Sequence, residues 1–325
     1  MTREPSVVEC YDLPQYLDPE AVYALLPKTH TGYWERVDRN LGWITRDEQE
    51  LLRAMVIPVA GCGGMGAQLA EKFVRLGVGE IRISDIENFD SSNINRQLAA
   101  TRNTIGKSKA FETARVLRNI ADDSTLVVYP QGIVPETADA FVAGADVVCD
   151  EIEFWAIGAR ILLHIAARKA GIGVLNCNTV GFGTRLFLFT PKSKTIESTL
   201  GYTLHEALEL EARFRAKTVR RDETKRLMEA ILAGLVPELP NYTVPESAFG
   251  NSGMVRRRLL DEEAAPIIAT NPPLATGFLA DWTLLHLLRN SHDRPHIADL
   301  PETPGYLYFD AAQMMAKVVR PEERE

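Results

Sequence analysis

The chain has 325 residues, 46% hydrophobic and 25% charged, enough for one large core or two modest ones and too apolar for wholesale disorder. A formal net charge of −8 argues against a nucleic-acid backbone as the main partner, because such binders set many Lys and Arg against phosphates. Cys10, Cys62, Cys149 and Cys177 are scattered with no CxxC pair, so neither a structural zinc site nor a redox dithiol is expected. The N-terminus lacks an apolar signal core and no stretch approaches 18 uninterrupted apolar residues; free thiols and a cytoplasmic location are the expectation.

Residues 1–50, rich in Pro, Tyr and Asp, read as a mostly helical N-terminal arm. Thr45 and Glu48 have the spacing of a capping box, which predicts a helix to about Arg53. A strand follows over 54–60, although Pro58 lacks the donor that a central strand uses. The apolar residues Ala67, Leu69, Ala70, Phe73, Val74 and Leu76 have helical spacing, and Gly77-Val-Gly79 ends that helix. Strands are predicted over 80–85, 126–129, 146–150 and 173–176, and helices over 107–120, 135–143 and 154–170. This alternation predicts a doubly wound α/β domain with a mostly parallel, Rossmann-like sheet over 51–190, with a last strand over 185–190. Residues 191–270 read as an inserted charged arm, helical over 203–233 and a mobile loop over 235–266. In 271–325, Asn271-Pro272-Pro273 predicts an N-cap and a helix to about Leu288, followed by a β-hairpin.

The turn Gly61-Cys62-Gly63-Gly64-Met65-Gly66 fits GxGxxG between strand and helix. Glycines there let backbone approach phosphates, and the helix N-terminus adds donors and partial positive charge. Asp85, 19 residues beyond Gly66, ends the second strand where a carboxylate accepts hydrogen bonds from ribose hydroxyls, and Glu87 lies beside it. A dinucleotide-dependent oxidoreductase needs no more, yet Asn93, Arg96, Gln97 and Lys109 follow, and Arg and Lys suit charge on a transferring phosphate.

The strings GCGGMG, RLGVGEIRISD, SNINRQ and GKSK, in that order, resemble the ThiF/HesA/MoeB superfamily, bacterial relatives of ubiquitin-activating enzymes, over roughly residues 36–190. That resemblance implies an ATP-dependent adenylyltransferase forming acyl-AMP and pyrophosphate, with Asp85 on the ribose, Asn93 and Arg96 on phosphates and Lys109 on the α-phosphate. Gln97 would orient Arg96 or line the nucleotide site. Glu153 takes the place of the family's Mg²⁺-associated aspartate, with Asp150 as second choice, and no zinc is expected. Arg36, with Arg39 one turn later, matches an arginine that reaches the partner subunit's ATP site, which implies a homodimer. The implied substrate is the C-terminal carboxylate of a ubiquitin-like protein or peptide; the same chemistry on a small metabolite or a tRNA-borne carboxylate, an NAD-dependent oxidoreductase and a non-catalytic scaffold are the rival readings.

Cys62 and Cys149 read as packing residues, Cys177 as a buried small residue and no covalent intermediate is expected. His164, His205, His286, His292 and His296 have no ligand spacing, and Arg256–Arg258 read as a solvated charge run.

Overall fold

The computed structural model describes residues 6–8, 18–27, 32–240, 242, 253–289, 291, 297–320 and 322. Cys10, Pro245, His292 and His296 lie outside the described residues, as does most of the expected N-terminal helix before residue 18.

The strands are β1 (Ser6–Val8), β2 (Tyr23–Leu25), β3 (Val56–Ala60), β4 (Glu80–Ser84), β5 (Thr125–Tyr129), β6 (Val148–Asp150), β7 (Val174–Val180), β8 (Gly183–Phe189), β9 (Tyr306–Asp310) and β10 (Met315–Val319). They form one sheet in the order β1-β2-β5-β4-β3-β6-β7-β8-β9-β10. β5, β4, β3, β6 and β7 run parallel, and β8, β9 and β10 extend the sheet antiparallel. The chain builds outward from β3 to β4 and β5, then returns to place β6 and β7 on β3's other side. In such sheets ligands bind at this reversal, outside the carboxyl ends of the strands.

The helices are α1 (Tyr33–Val37), α2 (Arg46–Ala54), α3 (Gly66–Leu76), α4 (Lys109–Ile120), α5 (Ala138–Val142), α6 (Ile157–Lys169), α7 (Ile196–Leu200), α8 (Leu204–Arg215), α9 (Arg221–Leu235), α10 (Met254–Asp261) and α11 (Asn271–Leu288). One sheet face packs Leu69 and Phe73 of α3, Leu117 of α4 and Leu279 of α11 against Ile57, Ile81 and Leu126. The other packs Phe141 of α5, Ile161 and Leu163 of α6 and Leu227 and Ile231 of α9 against Val127, Val148 and Phe187. Burial on both faces is what the unbroken apolar runs of the central strands require.

Several local expectations correspond to the observed elements. Thr45 and Glu48 make the reciprocal capping box of α2, and Gly77, at φ 87°, closes α3 by donating to the Phe73 and Val74 carbonyls. Pro58 does lie in the central strand. Val56 donates toward Asp146 and Gly61 toward Ser84 of β4, so the alternation points Pro58's missing donor to the β6 side, one residue before the first β3–β6 pair, Val59 with Cys149.

Other expectations are corrected. The Ala21–Leu26 patch, expected in a helical arm, contributes β2, which pairs antiparallel with β5 and sets Tyr23 edge-on against Phe111 at 5.7 Å. Sheet pairing and burial override the weak helical pattern. The 235–266 segment contains α10, so Arg256–Arg258 sit on a helix, with Arg258 pairing Glu262 at 3.2 Å. Asn271 is not the N-cap of α11; Thr270 holds that position, and the Asn271 amide donates to the Gly181 carbonyl at 2.5 Å.

Replacing Thr45 by Ala should lower stability by about 1 kcal/mol, the usual cost of a lost N-cap. Equilibrium urea denaturation reads this directly, and an unchanged midpoint would remove the capping box from the account.

Candidate active site

A cleft of about 610 Å³ opens at the carboxyl ends of β4, β3, β6 and β7. Its floor is the glycine turn. Gly61 adopts φ 98°, and a Cβ there would strike the Glu151 carbonyl, while a Cβ on Gly66 would strike the Gly61 carbonyl. Two backbone segments therefore touch where only hydrogen fits, and α3 starts directly from the turn. Gly63 and Gly64 line the cleft, with Gly64 facing Arg96 and Pro272. Gly66 lies behind the turn and supports it.

The charges alternate along the floor. Asp85 accepts the backbone N–H groups of Cys62 and Glu87, each at 2.8 Å. Burial pushes its carboxyl up to about 6, against the opposing pull of Lys109. The Lys109 side chain is buried and its Nζ lies 2.6 Å from Glu87 Oε2. Burial disfavours the ammonium charge, but Asp85, Glu87 and Glu153 outweigh it and hold the proton above the ordinary lysine range. Arg96 lines the same cleft; its Nη1 donates to Ser92 O at 3.2 Å and Asn95 Oδ1 at 2.9 Å, while Nε is buried without a partner. Gln68 Nε2 ties the Arg96 carbonyl (3.1 Å) to that of Gly64 (2.8 Å), so the arginine and the turn move as one piece.

The wall beyond β6 is set by Asp150. Its carboxylate, with no solvent exposure, takes Arg160 Nε at 2.9 Å, His164 Nε2 at 3.0 Å, the Ile152 N–H at 3.0 Å and Asn176 Nδ2 at 3.3 Å. Burial alone would raise its pKa, but Arg160 and His164 reverse that and hold it below the usual carboxylate range. Both oxygens of Asp150, the second choice for a metal, accept protein donors, and the residue lines the cleft. Glu153 lines the cleft. Glu151, between them, has Oε1 buried without a partner, and burial followed by the charge of Asp150 pushes its carboxyl well up.

Three expected residues do not line the cleft of their own chain. Asn93 is buried in the turn Ser91–Asn95, where its Oδ1 accepts the Asp90 N–H at 3.2 Å. Gln97 is buried behind Gly63, its Oε1 without a partner. Arg36 forks onto Asp123 at 2.6 and 3.2 Å and donates to the Val74 and Arg75 carbonyls at the end of α3, a favourable place for a cation. The Arg39 side chain is 98% exposed. Cys177 lines the cleft but its Sγ lies 3.0 Å from Thr184 Oγ1, and burial, with Glu151 adding to it, holds the thiol protonated.

Sequence reasoning missed Gln68, Glu151, Arg160 and Asn178, and everything supplied by residues 211–267: Glu211, Phe214, Arg215, Glu263, Ala265 and Ile267. The first four carried a signal, a polar side chain on a face otherwise reserved for apolar packing. The others carried none, because α8 reaches the cleft only through its packing on α6.

Among the described residues no group of three or more His, Cys, Asp and Glu is disposed to hold a metal. A Mg²⁺ ion carried by phosphates needs less, one or two carboxylates with water and phosphate oxygens completing the shell. Glu153 fits that role because it lines the cleft, close enough to Lys109 for its charge to act on the ammonium.

Arg160→Met would leave Asp150 as a buried charge short of its main partner. A destabilisation of about 3–5 kcal/mol is expected in chemical denaturation. A loss under about 1 kcal/mol would mean that the charge is compensated elsewhere.

The ThiF family model matches residues 37–325. Adenylyltransferase and sulfurtransferase MOCS3 of Bos taurus is 35% identical over 138 residues, covering 42% of this chain and 30% of that protein. tRNA threonylcarbamoyladenosine dehydratase of Haemophilus influenzae is 32% identical over 129 residues, covering 39% of this chain and 49% of that protein. The chain thus matches between 30% and 49% of the length of these curated relatives. The crystal structure of selenomethionine PaaA shares the fold, with a TM-score of 0.59 at 13% identity over 90% of this chain and 75% of that one. Matched over most of its length, and folded as the doubly wound sheet that carries the glycine turn, the chain belongs to the ThiF family.

Proposed function

We propose that the cleft binds ATP and adenylates a carboxylate, most plainly the C-terminal carboxylate of a peptide or a ubiquitin-like protein. The observation that carries this reading is the pair of cations, Lys109 and Arg96, facing the glycine turn from two different elements. The turn and the start of α3 take the triphosphate through backbone N–H groups and the helix dipole. Asp85, ionised, accepts hydrogen bonds from the ribose hydroxyls. The substrate carboxylate oxygen attacks the α-phosphorus, the bond to the β-phosphate bridging oxygen breaks, and pyrophosphate leaves as acyl-AMP forms. Lys109, kept charged by Asp85 and Glu87, neutralises the charge that grows on the α-phosphate, and Arg96 holds the leaving phosphates. Mg²⁺, held by Glu153 and phosphate oxygens, would supply further neutralisation of the leaving group. The names of the relatives, an adenylyltransferase and a tRNA-modifying dehydratase, support nucleotide chemistry on different carriers. An acidic pI of about 5.4 favours peptide over tRNA. An NAD-dependent oxidoreductase would leave Lys109 and Arg96 idle.

Arg96→Ala should lower ATP–pyrophosphate exchange by about 10²- to 10³-fold, the usual worth of one preorganised charged donor. Near-normal exchange in that variant would sink the assignment of Arg96. ATP affinity should fall as pH drops through about 6, because protonated Asp85 no longer accepts from both ribose hydroxyls. Calorimetric titrations between pH 5 and 8 read this; Asp85→Asn should bind weakly with the slope near pH 6 gone, and a retained slope would shift the titration to another group.

A further inference from the structure

The sheet order divides the cleft. Asp85, Ile86, Gly132 and Ile133, at the ends of β4 and β5, form one side, and the glycine turn with Arg96 and Lys109 forms the middle. With ribose on Asp85 and phosphates on the turn, the side built by β6, β7 and α6 remains for the acyl group. Part of its wall comes from α8 and the segment between α10 and α11.

That wall is rigid. α6 has no side-chain cap of its own; Glu211 of α8 supplies one, accepting the Ala159 N–H at 2.9 Å, and Arg215 Nε balances the carboxylate at 3.1 Å. Leu208 of α8 packs so closely on Gly158 that a Cβ there would fall within 2.8 Å. Asn95 Nδ2 donates to the Ile267 carbonyl at 3.2 Å, tying the α10–α11 segment to the turn that carries Arg96.

Beside its charged residues, Glu211, Arg215 and Glu263, the wall carries an apolar patch. Phe154, Trp155 and Ala265 are partly buried outliers of the larger core cluster, and they face the cleft. Phe214 lies 5.5 Å from Trp155, and Ile267 continues the same surface. A tail ending in glycines has no side chain to cover this surface and would leave it wet.

We propose, resting on the adenylation reading above, that this wall is the acyl pocket and that it selects an acid bearing a bulky apolar side chain next to its carboxylate. Phe214 and Trp155 are its specificity-determining residues.

The test is ATP–pyrophosphate exchange by the full chain with N-acetyl tripeptides that differ only in their last residue: Gly, Ala, Asp, Lys, Leu or Phe. Leu and Phe should exceed Gly by at least about 10-fold in kcat/KM, the scale on which apolar pockets discriminate. Phe214→Ala should shrink that ratio while the KM for ATP holds, and Phe214→Leu, which keeps an apolar filler, should fall between them. Exchange driven equally well or better by the Gly peptide overturns the pocket and leaves adenylation standing. So does a Phe214→Ala variant that raises the KM for ATP with the ratio unmoved. Exchange with none of the acids, by folded protein that binds ATP, overturns the pocket.

Discussion

The buried charge of Asp150 organises the rest of the cleft. A carboxylate with no solvent exposure must be surrounded by donors, and Arg160, His164, Asn176 and the Ile152 N–H converge on it from α6, β7 and the turn after β6. Arg160 also donates to the Ile152 carbonyl, so the backbone leaving β6 is held at two points. Its position then dictates the neighbours. The Glu151 carbonyl lies against Gly61, which explains the glycine at that position, and Glu153 and Trp155 are presented to the cleft. A side chain buried to satisfy itself is thus also the brace for residues that face a ligand.

Around that brace the cleft keeps charges of both signs within reach of one another, in a chain that is acidic overall. Lys109 remains cationic because Asp85, Glu87 and Glu153 surround it, and Asp85 in turn is held near neutrality of charge at mildly acidic pH by its burial. The site gains a cation suited to phosphate without making the protein basic. The opposite wall pairs its charges within the protein, Asp150 with Arg160 and Glu211 with Arg215, and beside them the core cluster extends apolar side chains to the opening, while α8 is fixed in place by the cap that Glu211 supplies to α6.

Much of the central fold was legible residue by residue. The apolar spacing from Ala67 to Leu76 and the stop at Gly77 correspond to α3, and Thr45 with Glu48 to the start of α2, because these signals lie within a few residues of the hydrogen bonds they govern. The turn, Asp85 and Glu87 could be picked out because strand ends in a parallel sheet meet at one edge, and Arg96, Lys109 and Glu153 through the resemblance of their motifs to the ThiF superfamily; all of them line the cleft. The strand expected through Pro58 is observed: the proline's missing donor matters in a strand paired along its whole length, and β6 is short. The side chains of Arg36, Asp150 and Asn93 hold partners within the chain, and a linear pattern carries no record of what a polar atom meets across the fold.

Sequence by itself determined the α/β alternation, the glycine turn and the identity of the charged residues that follow it, because each depends on local periodicity or on backbone freedom. Tertiary structure alone decided which carboxylate is neutralised and which faces the cleft, and that Phe214, Arg215 and Ile267 come to stand opposite Trp155. Those outcomes depend on burial and on contacts across the fold, from Arg160 on Asp150, 10 positions away, to α8 and the α10–α11 segment on the far side of the cleft, which no spacing rule encodes.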